Sequence, residues 1–172
     1  MLQLSGALLN QPVLSLRTGT PIATILRAII NPNNLKVEGF YCQDSAERHK
    51  QLVLLYQDIR DVIPQGVVVN DHDALTEPEE LVRLKEVMRI DYELLGKLVI
   101  TTDKQKIGKV NDYAVETTSM YIQKLYVSQS MFKSFTGGNL GIDRTQIVEV
   151  DDKKVTINEL RQKVPARAGA VA

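Results

Sequence analysis

Apolar and polar residues alternate over short runs along most of the chain, with the two-residue period of β-strands. In the run YIQKLYV, the alternation puts Tyr121, Gln123, Leu125 and Val127 on one side and Ile122, Lys124 and Tyr126 on the other. The run KLVITT is followed across a polar turn by KIGKVNDYAVE, and QIVEV is followed across DDK by KVTI. Both arrangements predict hairpins. We therefore expect an all-β fold made of short strands.

One stretch, LTEPEELVRLKEVM, has helical spacing instead. Its apolar stripe consists of Leu81, Leu84 and Met88. Thr76 and Glu79 match a capping box, which marks the start of a helix. The sequence predicts a linking helix over residues 77–90. We expect its stripe to pack against the strands or between the two halves of the chain, and docking into a partner's groove is the alternative.

The strands before and after this helix match each other, which indicates an internal duplication. Val13 matches Val99 at a separation of 86 residues (99 − 13). At a separation of 85 (107 − 22), the matching pairs are Ile22 with Ile107, Ile25 with Val110, Ile30 with Val115, Val37 with Ile122, Phe40 with Leu125 and Tyr41 with Tyr126. At a separation of 88 (150 − 62), they are Leu52 with Leu140, Leu54 with Ile142, Ile59 with Ile147, Val62 with Val150, Val67 with Val155, Val69 with Ile157 and Asn70 with Asn158. The separation changes only in predicted turns, where insertions are tolerated.

Five or six short strands per copy are too few for two large sheets. A small closed or nearly closed barrel would bury one face of each copy and remove its exposed edges. We predict two such barrels in tandem, at residues 1–75 and 93–162, joined by a linking helix at 76–92 and followed by a flexible tail at 163–172.

The second copy resembles the opening of the PRC-barrel domain, through Leu95, Gly96, Lys97, Val99, Ile107, Gly108, Lys109, Val110 and Asp112. The first copy departs from this pattern. It has Asn10-Gln11 in place of Gly-Lys, and Ile22-Ala23-Thr24-Ile25 in place of Ile-Gly-Lys-Val. We interpret it as a divergent copy.

The resemblance implies small β-barrels that serve as binding modules. The PRC-barrel family includes the cytoplasmic domain of the photosynthetic reaction-centre H subunit and the C-terminal part of the ribosome maturation factor RimM. It is not known for catalysis within the barrel. The resemblance therefore implies neither an enzyme nor a cofactor.

Composition narrows the class of partner. The 21 basic and 21 acidic residues give a net charge of zero, which disfavours a general polyanion binder.

Cys42 is the only cysteine, so no intrachain disulfide can form, and we expect it to be a buried strand residue. No uncharged apolar stretch approaches the length of a membrane-spanning helix. We expect a cytoplasmic protein.

His72, between Asp71 and Asp73, is the candidate for metal or acid–base chemistry. Neighbours on a strand point to opposite faces, so these three side chains do not converge by spacing alone. The other histidine, His49, lies in a polar stretch. We expect His72 to lie in a turn, with no metal bound.

Lys97, Lys104, Lys106 and Lys109 cluster near one turn and could contact phosphate. Acidic residues are interspersed among them, so we expect a solvated strand face instead.

The segment SQSMFKSFTGGNL carries Met131, Phe132 and Phe135, which include two of the chain's three phenylalanines. The first copy has the polar QDSAERHKQ at this place. Exposed aromatic residues are frequent contact anchors, so these three residues are the candidate partner-binding site. The alternative is that they fold over an open barrel end or the junction between the barrels.

Together these patterns predict a non-enzymatic cytoplasmic adaptor that binds another protein through its barrel surfaces. The alternative is an RNA- or ribosome-associated assembly factor similar to RimM. Neutral net charge and a second PRC-like copy in the first half both weigh against that alternative.

Overall fold

A computed structural model of the chain describes residues 1–129 and 138–160. Strands dominate it, and their bounds are β1 (Leu2–Leu4), β2 (Pro12–Ser15), β3 (Pro21–Asn31), β4 (Lys36–Asp44), β5 (Gln51–Leu55), β6 (Ile59–Ile63), β7 (Gly66–Val69), β8 (Leu75–Thr76), β9 (Leu98–Thr101), β10 (Lys106–Glu116), β11 (Ile122–Gln129), β12 (Asn139–Asp143), β13 (Ile147–Val150) and β14 (Lys154–Ile157). The α-helix of the described residues, α1, spans Lys85–Ile90. Single 3₁₀ turns cover Ser5–Ala7, Tyr56–Asp58, His72–Ala74, Pro78–Glu80, Val82–Leu84 and Arg144–Gln146.

The strands form two sheets, one from each half of the chain. The first has the order β6-β7-β2-β3-β4-β5-β8. The second has the order β13-β14-β9-β10-β11-β12, and β1 adds to it beside β10. All neighbours are antiparallel except β2 with β7 and β9 with β14, which are parallel.

Neither sheet closes into a barrel among the described residues. In the first sheet, β5 leads through the three-residue turn Tyr56–Asp58 directly into β6, which lies at the far end of the strand order. The turn Arg144–Gln146 joins β12 and β13 in the same way. So short a connection requires a strongly curled sheet, but no ladder of hydrogen bonds joins its two ends. Of the predicted closed or nearly closed barrels, the closed form is therefore wrong for the described residues, in which each half forms a curled, open sheet.

The two sheets agree in detail. The separation between corresponding strand starts is 86 for β2 and β9 (98 − 12), 85 for β3 and β10 (106 − 21), and 88 for β5 and β12 (139 − 51). The irregularities agree as well. The β3–β4 register shifts between Ile25 and Arg27 and again between Ile29 and Ile30, and the β10–β11 register shifts at the corresponding places.

The halves meet at a short backbone seam. Lys36 of the first half and Tyr121 of the second form an isolated antiparallel bridge. The Val37 N–H donates to the Met120 carbonyl (2.8 Å), and the Ile122 N–H donates to the Leu35 carbonyl (2.9 Å). Leu35 and Met120, both buried, have left-handed φ values of 51° and 59°. These bonds continue one half's backbone pairing into the other.

The segment that precedes each sheet packs on the opposite half. Strand β1 pairs with β10, and the Ser5 hydroxyl donates to Asp112 (2.5 Å). Helix α1 packs on β3, and Arg27 forms an ion pair with Asp91 (2.6 Å). The buried apolar residues of both sheets accordingly form one continuous cluster, not two separate cores.

The predicted linking helix is shorter than expected. Thr76 pairs with Val53 as part of β8, so it does not cap a helix. Leu81, with φ −91° and ψ 72°, separates two 3₁₀ turns before α1 begins at Lys85. Two residues of the predicted stripe, Leu81 and Met88, still pack on a sheet, where they and Val87 cover a second cluster on the outer face, whereas Leu84 is not part of this packing. That cluster consists of Ile29, Tyr41 and Val53.

Within residues 1–129 and 138–160, no helix is both long enough and apolar enough to cross a membrane.

Candidate functional site

The predicted contact residues Met131, Phe132 and Phe135 lie outside the described residues. The other predicted candidates, His72 and the lysine cluster, lie within them.

His72 does not converge with its two neighbours. Asp71 accepts the Asp73 N–H (3.0 Å) and pairs with Arg17 (3.6 Å), so it caps the His72–Ala74 turn. The His72 ring instead places Nε2 3.2 Å from Oδ1 of Asp44 at the end of β4. His49 is exposed, with Glu47 at 3.9 Å. In the described part of the chain, no group of three or more histidine, cysteine, aspartate and glutamate side chains could hold a metal ion.

Asp44 is the buried half of this pair, and only 3% of the residue is exposed. Burial raises its pKa, but the bond from His72 and the Ala46 N–H (3.3 Å) outweigh burial and leave the pKa below its usual value. The contact holds the His72–Ala74 turn against β4.

The four lysines of the predicted cluster differ in their contacts. The Lys97 ammonium donates to the Asp152 carbonyl (2.5 Å) and lies 5.0 Å from the Tyr92 ring centre. Lys104, Lys106 and Lys109 are exposed along the turn and β10. Cys42, by contrast, is fully buried in β4, and burial raises the pKa of its thiol to about 12.

A groove of about 670 Å³ lies on the outer face of the first half. Its apolar side chains are Leu55, Leu81, Val82 and Leu84. Its acidic side chains are Glu38, Asp58 and Glu80, and Arg83 and Gln57 complete the lining. Carboxylates therefore outnumber cations in the lining by three to one.

Three elements build this groove. Glu38 is the extra residue of the bulge in β4, because Ile29 pairs with Gly39 and Ile30 pairs with Val37. A bulge re-aims the side chain it carries. The turn Tyr56–Asp58 supplies Asp58, and the two 3₁₀ turns of the linking segment supply the opposite wall.

A second, polar cavity of about 320 Å³ lies at the seam. Its lining includes Arg144, whose guanidinium donates to the carbonyls of Leu35 (3.4 Å), Ile122 (2.9 Å) and Asn34. Arg144 also stacks on Tyr121 at 5.1 Å, and Lys36 lies over both Tyr121 and Tyr56. Both cations contact groups of the two halves across the seam.

The PRC-like glycines have conformational roles. At Gly108, an added Cβ would lie 1.9 Å from the Ser128 carbonyl oxygen, so β10 and β11 approach closely only with glycine there. Gly96 has φ 84°, and Asn10, at the corresponding place in the first half, has φ 62°. Both are compatible with left-handed backbone.

The curled, bulged sheet with one parallel strand pair defines a small β module, and its motif residues act in packing. Residues 86–164 match the PRC-barrel domain, and the chain contains this domain in its second half. No curated protein matches the chain.

The sequence pattern did not indicate the groove. The helical spacing predicts Leu81 and Leu84 as parts of one helix, without the groove that they line. The bulge that turns Glu38 toward them has no sequence signal of its own.

Proposed function

We propose that the chain is a non-enzymatic adaptor that binds another protein, built from the PRC-barrel domain at 86–164 and a divergent PRC-type copy before it. The matching strand orders, bulges and separations support the duplication. A cytoplasmic location is part of the proposal, consistent with a single, buried cysteine.

The groove on the first half is the observation that carries the binding role. It is by far the larger of the two cavities considered above, and it combines an apolar floor with charged groups. One of its side chains, Val82, is 79% exposed, more than any other large hydrophobic residue of the described chain. Exposed apolar side chains with a polar rim are typical of protein-contact surfaces.

The adaptor proposal is favoured over RNA binding by the charge of this surface. RNA binding depends on cations that neutralise phosphates. Carboxylates are three of the four charged side chains of the groove, and Arg144 and Lys36 are engaged in seam contacts.

Capture from the cells of origin tests the proposed function. The full-length chain is immobilised and its bound material analysed with and without ribonuclease. We expect a specific protein that stays bound after ribonuclease treatment. Ribosomal particles that are lost on the same treatment would support the assembly-factor alternative, and no specific protein would refute the adaptor.

Two variants then decide which surface makes the contact. Val82→Ser changes the groove, and Phe132→Ala combined with Phe135→Ala changes the segment singled out by the sequence. We expect Val82→Ser to weaken capture while leaving the fold intact, because this side chain is almost fully exposed. Weakening by the phenylalanine variant, with an unchanged unfolding transition, would assign a contact to that segment as well.

A further inference from the structure

The charge of the groove points to one kind of occupant. We infer that the groove binds a basic amphipathic segment of a partner protein, with lysine or arginine side chains on the acidic rim and apolar side chains on the floor. This inference rests on the proposed adaptor function and specifies the chemistry of the partner.

The rim is acidic, because three carboxylates share it with a single cation, Arg83. Glu38, Asp58 and Glu80 all line the groove, and none of them forms an ion pair within residues 1–129 and 138–160. Lys36, two residues from Glu38 on β4, forms no ion pair with it, and its ammonium lies 3.9 Å from the Tyr56 ring centre. Carboxylates gathered around one concave surface attract a cationic segment and repel an acidic one.

The floor offers apolar contact next to that charge. Leu55 and Leu81 pack on the outer cluster of Ile29, Tyr41 and Val53, which fixes their position. Val82 extends from this fixed base into solvent. Covering it would remove apolar surface from water, at about 25 cal/mol per Å². A segment that alternates or clusters cationic and apolar side chains matches both features.

The groove is restricted to one half. At the separations of the strands, Glu38 corresponds to Gln123 (123 − 38 = 85), and Leu55 corresponds to Asp143 (143 − 55 = 88). Asp58 corresponds to Gln146, also at 88 (146 − 58). The second half therefore lacks both the acidic rim and the apolar floor at these positions. We expect one binding site per chain.

Two short synthetic peptides provide the test. In one, leucine alternates with lysine, and in the other, leucine alternates with glutamate. Binding to the full-length chain is measured by fluorescence anisotropy at several salt concentrations. We expect one lysine peptide to bind per chain and to compete with the captured partner. Its affinity should fall as salt is added. The glutamate peptide should not bind.

A matched pair of triple variants locates the site. The triple variant Glu38→Gln, Asp58→Asn and Glu80→Gln should lower the affinity for the lysine peptide by about tenfold or more. The control, Asp73→Asn with Glu86→Gln and Glu149→Gln, removes the same charge from exposed positions outside the groove and should bind as the wild type does. If both triple variants lose the same affinity for the lysine peptide, the loss comes from the change in net charge alone, and the inference is wrong.

The chain's own basic segment is the competing occupant. Arg161, Lys163 and Arg167 follow the described residues. If replacing all three with glutamine tightens peptide binding about tenfold, the groove is occupied intramolecularly, and the partner assignment is wrong. If the wild type binds neither peptide but still captures a protein, the basic-segment inference fails while the adaptor function stands.

Discussion

Lys36 and Tyr121 face each other in an antiparallel bridge, and they occupy corresponding positions in the two halves, 85 residues apart (121 − 36). A contact between corresponding residues is the mark of a two-fold interface, in which each partner offers the same surface. The reciprocal bonds of Leu35 and Met120 have this form as well. The backbone pairing at the seam is thus locally two-fold, and a change at the seam should affect both halves together.

Arg144 is the side chain that most directly connects the halves. Its guanidinium donates to Asn34 and Leu35 of the first half and to Ile122 of the second. Arg144→Met would remove the guanidinium donor from all three carbonyls, although the Leu35 carbonyl keeps its bond from the Ile122 N–H, so we expect a loss of about 2–4 kcal/mol in the free energy of unfolding. The stability of Arg144→Lys should lie between those of the wild type and Arg144→Met, because an ammonium lacks the planar fork of donors. Urea denaturation measures both.

Arg89 supplies the control for this prediction. Its partner is Glu86 at 2.7 Å, and both side chains are largely exposed. Arg89→Met should change stability by less than about 0.5 kcal/mol. Equal costs for Arg144→Met and Arg89→Met would show that the seam does not depend on the guanidinium.

Gly108 should not tolerate alanine. The added Cβ would meet the Ser128 carbonyl oxygen at 1.9 Å and Cγ1 of Val127 at 3.1 Å. Backbone cannot move aside without disrupting the β10–β11 ladder, so we expect a loss of about 2–4 kcal/mol. Gly6→Ala is the matched control, because nothing lies within 4 Å of its added Cβ. Thermal unfolding of both variants decides the matter, and a Gly108→Ala variant as stable as Gly6→Ala would contradict the close approach.

Asp44 should make stability sensitive to acid. Its pKa in the folded protein lies below the usual value of 3.8, so its contribution is present above that value and is lost as the pH falls through the folded pKa. We expect Asp44→Asn to cost about 1–3 kcal/mol near neutral pH and to reduce the loss of stability below about pH 4. Denaturation between neutral and acidic pH measures this slope.

The exposed Asp73 serves as the comparison for Asp44, because its carboxylate forms no ion pair among the described residues. Asp73→Asn should retain the acid dependence of the wild type. If Asp44→Asn retains it too, other carboxylates, such as Asp143 and Asp151, account for the acid dependence.

Strand positions could be predicted because side chains alternate between the two faces of a strand, so a strand with one buried face has an apolar residue at every second position. The run KIGKVNDYAVE corresponds to β10 without error at either end. The alternation failed in β11, where Ile122 and Leu125 were assigned to opposite sides but are both fully buried. A bulge at Gln123 causes this, since Ala114 pairs with Lys124 and Val115 pairs with Ile122. Bulges arise from pairing between strands, so a single strand's sequence does not reveal them.

The candidate site was less predictable than the fold for the same reason. Its acidic rim brings together β4, the Tyr56–Asp58 turn and the linking segment, which are distant along the chain. The sequence indicates helical spacing from residue 77 onward, with Thr76 as the cap. In the structure, Thr76 instead pairs with Val53 as part of a sheet. Tertiary contacts therefore decided where the helix began.

Tyr92 is a position where a polar atom should be dispensable. The residue is 6% exposed, and its hydroxyl has no hydrogen-bond partner among the described residues. Burial, followed by the charges of Asp151 and Asp152, raises its pKa to about 12. Because an unpaired buried hydroxyl is costly, we expect Tyr92→Phe to be neutral or to stabilise the fold by about 1 kcal/mol.

Tyr92→Ala should cost about 3 kcal/mol or more, because it removes a ring packed at the junction of the halves. Tyr126→Phe, at a half-buried position, is the control and should change little. Urea denaturation compares the three variants, and a cost above about 1 kcal/mol for Tyr92→Phe would mean that the hydroxyl is satisfied after all.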